Sequence, residues 1–228
     1  TTGAGGGTIT FGNTLNGTQT LALTAGTGNI DFDGIVGGTN ALGAVTINAA
    51  AAVTIDAAFT AASLNQAVAG TGTFTLDGVL TAGSGVVTIN ANAVDIDANI
   101  IASGAGQAVS ITGATDLGGN ITSTNGAVTF NSAVALTDGD RTITTGAGGG
   151  TITFTDTLDG TRALALTAGT GNIDFDGIVG GTNALGAVTI NAAAAVTIDT
   201  TFTAASLNQA SAGTGTFTLD GVLTAGSG

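Results

Sequence analysis

Any chemistry in this chain has to come from carboxylates. The sequence holds fifteen Asp and two Arg, and no His, Cys, Lys, Glu, Tyr, Trp, Met or Pro. Its densest charged cluster is Asp138-Gly139-Asp140-Arg141. Paired carboxylates, or a carboxylate beside a base, cleave sugars when they face each other across a groove with separated pKa values. No aromatic platform for a sugar accompanies the cluster, so it reads as an Asp-Gly turn with a solvated Arg.

A second grouping is Asp56, Asp77 and Asp97, each closing a short apolar run and spaced by 21 and then 20 residues. That spacing predicts a column, one carboxylate per coil of chain. Neighbouring strands lie about 4.8 Å apart, where two bare carboxylates repel by roughly 1 kcal/mol even in water. Calcium, which takes oxygen ligands alone, would relieve the repulsion. The Gly-Gly-x-Gly-x-Asp spacing of calcium-binding nonapeptides is not met by "GTGNIDFDG", however. The expectation is therefore that each Asp caps its own turn, as Asn48, Asn90 and Asn131 do after sister runs, with no metal, cofactor or catalytic residue assigned.

Composition removes other functions. Without His or Cys there is no ordinary transition-metal site, thiol nucleophile or imidazole base. A net charge of −13 with two cations excludes a phosphate-tracking surface for nucleic acid. Gly34–Ile55 carries no charge, but Gly, Thr and Asn interrupt it, so membrane insertion as a helix is not expected. The aromatic girdles of a membrane barrel are missing as well. Abundant Val and Ile with no Pro, Lys or Glu point to a folded chain despite 40 Gly.

The elements that would position these residues are short period-two runs: "TITF" (8–11), "NIDF" (29–32), "VTIN" (45–48), "VTID" (53–56), "FTLD" (74–77), "VTIN" (87–90), "VDID" (94–97), "VSIT" (109–112) and "VTFN" (128–131). Alternation of Val, Ile, Leu or Phe with Thr or Asp predicts strands with one buried face. Like residues recur at 20 to 21: Ile9 with Ile30, Val53 with Phe74, Ile55 with Leu76, Leu80 with Ile101, and Leu76 with Ile96. Two or three strands per coil, wound so that like stacks on like, make an all-β parallel β-helix of about 11 coils. No hexapeptide pattern is present, which favours the right-handed form over the left-handed triangular one. A string of β-sandwich domains would carry Trp, Tyr and Pro. A flat ice-binding face would need Thr-x-Thr in one lane on every coil, and "NIDF", "VDID" and "VTFN" interrupt the runs at 71–75 and 151–155.

A longer period lies over the short one. Residues 1–85 return at 144–228 with eight mismatches: Gly12/Thr155, Asn13/Asp156, Asn16/Asp159, Gln19/Arg162, Thr20/Ala163, Ala57/Thr200, Ala58/Thr201 and Val68/Ser211. The period of 143 is close to seven coils. The chain is expected to be one continuous solenoid, 1–143 a full period and 144–228 a partial second, cut from a longer array.

The runs "TLDGTRALALTAGTGNIDFDGIVGGTNALGAVTINAAAAVTID" (157–199) and "FTAASLNQASAGTGTFTLDGVLTAGSG" (202–228) resemble the β-strand repeats of giant bacterial surface proteins, similar to filamentous-haemagglutinin-type exoproteins. The resemblance implies an extracellular stalk, fibre or coat at the bacterial cell surface. Low charge density and many small side chains let such surfaces approach closely, so end-to-end or lateral self-association is expected, with surface glycans or matrix as further partners. The alternative is the shaft of an adhesin whose binding tip lies outside this segment.

Overall fold

The computed structural model describes residues 1–3, 5–211 and 213–226. They form twenty-four short strands and no helix, joined in one sheet. Every pairing is parallel and links one coil to the next, so the chain is a β-solenoid with a single apolar interior.

Each coil has three faces. On face one, inward residues stack from Ile9 through Ile30, Val53, Phe74, Val94, Thr115, Val134, Leu158, Val179 and Phe202 to Leu223. Face two stacks from Leu15 through Val36, Phe59, Leu80, Ile100, Ile121, Ile143, Leu166 and Ile190 to Gln209. Face three stacks from Leu21 through Val45, Leu64, Val87, Val109, Val128, Ile152, Ile173 and Val196 to Phe217. β-branched and aromatic residues fill these lanes because they suit a pleated surface buried on one side. Phe rings stack down them: Phe130, Phe154 and Phe175 lie nearly parallel with centroids 5.1 and 5.4 Å apart. Phe202 then meets Phe175 edge-on at 5.3 Å.

Two sequence expectations need correction. Leu80 pairs with Ile100, not Ile101, which lies beside Thr81 on the outside. The coil had already lost a residue before Val94, 20 after Phe74, and the corners 77–79 and 97–99 are equal in length. The shorter spacing therefore carries through, and period-two alternation turns Ile101 outward.

The second correction concerns the 143-residue period. From Ile9 to Ile152 the chain crosses twenty faces, or six and two-thirds coils rather than seven. Ile9 lies on face one and its copy Ile152 on face three. Likewise Leu15 on face two returns as Leu158 on face one, and Leu21 on face three returns as Leu164 on face two. Near-identical sequence thus builds three different sides of the solenoid. The three faces are interchangeable because each asks the same thing of its strand, an apolar inward row and a small polar outward row.

Inside and outside can be separated by substitution. Ile55 is fully buried between Phe32 and Leu76, whereas Thr54 lies between Asp31 and Thr75 on the outer side. Ile55→Asp places an unpaired charge among stacked aliphatics and should destabilise the fold by more than about 3 kcal/mol. Thr54→Asp should cost far less, about 1 kcal/mol, as a half-buried charge on the outer wall beside Asp31. Urea unfolding followed by circular dichroism checks both, and equal losses would contradict the assignment.

Candidate functional site: the acidic column

The predicted column exists and is longer than expected. Asp33, Asp56, Asp77 and Asp97 each follow a residue of one inward row, Phe32, Ile55, Leu76 and Ile96, that the ladder pairs coil to coil. Gly118 stands next in line, with Asp97 and Asp138 on its two sides. A parallel outward row on the same face adds Asp31, Asp95 and Asp116, with Thr54 and Thr75 between the first two. Seven consecutive coils, from Asp31 to Asp159, each put at least one carboxylate on or beside face one. The second copy repeats the column on face three as Asp176, Asp199 and Asp220. Sequence spacing missed this extension, since the 20- to 23-residue steps between members vary and the face changes.

The electrostatics follow from the stacking. Partial burial, then the charges of Asp97 and Asp56, push the Asp77 carboxyl above its ordinary 3.8. Asp95 is raised by burial and then by Asp97, Asp116, Asp77 and Asp138. Asp31 is raised by burial, Asp33 and Asp56 against an opposing hydrogen bond from Thr10. Asp174 is raised by burial and by Asp176 and Asp199, with Thr197 opposing. Among the described residues no group of three or more carboxylates is arranged to hold a metal ion. The members are strung along an axis, one per rung, and do not converge on a point.

The corner backbone explains why Gly follows some of these Asp residues and Ala others. A Cβ on Gly78 would lie 2.1 Å from the Ala57 carbonyl group, and one on Gly119 would lie 2.0 Å from the Ala98 oxygen. Gly34, Ala57, Gly78, Ala98 and Gly119 thus alternate up the corner, each Gly making room for the backbone of the coil below.

Turn capping is done differently from expectation. Among the described residues it runs mostly between coils and uses residues other than Asp56, Asp77 and Asp97, while Asp156 caps its own turn by accepting from the Thr157 N–H. Asn16 Oδ1 accepts from the Thr39 and Asn40 N–H groups, and its replacement Asp159 accepts from Thr182 and Asn183 in the same way. Asn99 and Asn120 accept from the Asn120 and Thr142 N–H groups. Asn48 and Asn131 also reach across, to Thr24 and to Ser110 and Thr112. In the charged cluster, Asp140 Oδ1 accepts from the Ala163 N–H at 2.9 Å while Asp138 faces Gly118. Asp140 is thus a cap between coils.

Gln66 is a buried residue that the sequence analysis did not single out. It sits in the inward row after Ile47, 1% exposed, and its Oε1 accepts from the Asn90 N–H at 3.3 Å. The chain leaves the ladder at this point, and the side-chain amide stands in for the missing backbone acceptor. The "NQ" after an apolar run is the one signal that could have pointed to it. Comparison with models of known families, with curated proteins and with solved structures finds no match to this chain.

Two predictions follow from the column. Carboxylates raised in the folded state bind protons more tightly there than in the unfolded chain, so their ionisation opposes folding. Protonation through the raised values, above 3.8, should therefore stabilise the protein. Thermal melting should rise as the pH falls from 7 toward 4, and added salt should raise it at pH 7 but less at pH 4. A melting temperature that falls over the same range would contradict the repulsive column. Separately, Gly78→Ala should destabilise by about 1–3 kcal/mol through overlap with the coil below, and Ala57→Gly by no more than about 1 kcal/mol, measured by chemical denaturation.

Proposed function

We propose that this chain is a structural segment of a giant extracellular bacterial repeat protein, serving as a rigid stalk, fibre or surface coat, with a mechanical role and no chemistry of its own. The observation that carries the proposal is that two near-identical stretches of 85 residues occupy different sides of one uninterrupted coil stack. An active site gains nothing from being rebuilt a third of a turn away, whereas a rod extends with each copy. The resemblance to surface-protein repeats supports the extracellular setting. Self-association is the partner chemistry the reading entails, because the chain carries so few groups that recognise anything else.

Arrays lengthened by one and two further 143-residue periods test the reading. Six and two-thirds coils at about 4.8 Å each should add about 32 Å per period. Small-angle scattering should show that increment in the longest dimension at constant cross-sectional radius. A widening cross-section, or growth well short of the increment, would overturn the rod.

A further inference from the structure

The carboxylates of this chain form one ribbon, and the ribbon winds. All nine Asp of residues 1–143 lie on face one or at its corner with face two. Over the same span the outward rows of face two, from Thr60 to Thr144, and of face three, from Thr46 to Thr153, carry no charge. In the second copy the counterparts of Asp31, Asp33, Asp56 and Asp77 are Asp174, Asp176, Asp199 and Asp220, which lie on face three or at its corner with face one. The sequence marks the crossing. Of the eight mismatches between the copies, three change charge, Asn13/Asp156, Asn16/Asp159 and Gln19/Arg162, and all three fall at this level. Asp159 continues face one above Ala135, and Asp156 stands at the corner of faces three and one. Arg162 donates from Nε to the Thr137 carbonyl, beside the last carboxylates of the face-one column. Acid is added where the ribbon turns, and a cation closes the corner that it leaves.

We propose that the winding of this ribbon keeps long rods of the repeat from packing side by side. The proposal rests on the rod reading and limits lateral self-association to contacts shorter than one turn of the ribbon. Each period of six and two-thirds coils moves the acid by one face, so a third copy carries it on face two and a fourth returns it to face one. Three periods make one turn of twenty coils, about 96 Å long. Along any one face the acid-free stretch is two periods, about 64 Å, before carboxylates enter the contact.

Inside such a contact a carboxylate loses water and finds no cation, since the chain sets two Arg against fifteen Asp. An unpaired buried charge is strongly unfavourable. A period of twenty-one faces would have stacked all the acid on face one and left faces two and three bare along the whole rod. Long uncharged β surfaces with a common rise associate with one another, and natural sheets carry charge against that outcome. The missing face spreads the protection over all three sides with acid enough for one.

Arrays of residues 1–143 repeated three times separate the placement of charge from its amount. In a cleared variant the nine Asp of the middle period become Asn, which leaves face three bare from end to end. In a spread variant Asp33→Asn, Asp56→Asn and Asp77→Asn are made in every period, which removes the same charge but leaves acid on each face. At physiological ionic strength the unsubstituted and spread arrays should stay single rods, and the cleared array should form roughly tenfold more side-by-side dimer, read in small-angle scattering as a doubled cross-section at constant length. Equal dimerisation of the two variants would mean that net charge alone decides. That result, side-by-side dimers of the unsubstituted array, or a cleared array that stays single would each overturn the proposal. Circular dichroism and the length of the single rod report separately on the rod reading, so failure of the rod and failure of the ribbon are distinguishable.

Discussion

The parallel backbone ladder between coils governs everything else in this molecule. Each strand both donates to and accepts from the coils on its two sides, as Ile30 N–H donates to Ala52 and Gly34 N–H to Phe11, which sets the rise at about 4.8 Å and forces each residue over its counterpart. Inside, that constraint is favourable. Phe130, Phe154 and Phe175 stack at 5.1 and 5.4 Å, and such pairs contribute about 0.5–1.5 kcal/mol beyond burial. Outside, the same constraint lines up Asp33, Asp56, Asp77 and Asp97. Their repulsion, about 1 kcal/mol per close pair in water, is tolerated because the apolar lanes beneath are completely buried.

A coil wall of three equivalent faces gives the long repeat a freedom that a single-faced fold would lack. Nothing in the interior distinguishes Ile9 on face one from Ile152 on face three, since both end in the same apolar core. The surface does distinguish them. Acid occupies face one for the first period and moves to face three in the second, so the outer charge winds around an interior that does not change.

The corners show how a wall built of short strands is closed. At several corners side-chain oxygens supply acceptors beside the backbone ones: Asn16, Asn99, Asn120, Asp140 and Asp159 for the coil that follows, and Gln66 from within. The mismatch Asn16/Asp159 preserves the same two acceptor bonds, because amide and carboxylate oxygens are alike to an N–H donor. Substitutions between the copies are confined to outward or corner positions for the same reason that the inward rows are untouched.

Much of the fold was legible in the sequence. Period-two alternation gave the strands, spacings of 20 to 21 gave the coil, and Ile55, Leu76 and Ile96 fall in one inward lane as those spacings require. These features depend on backbone geometry and on the sorting of apolar from polar residues, both of which are local. The tertiary structure alone decided which face each strand joins. Face assignment depends on the summed lengths of every corner, and small differences accumulate: one residue lost before Val94 moved Leu80 onto Ile100, and twenty faces crossed, not twenty-one, turned the second copy by a third of a coil. A spacing rule is blind to that sum, because each corner length is set by how the chain packs on the coil beneath it.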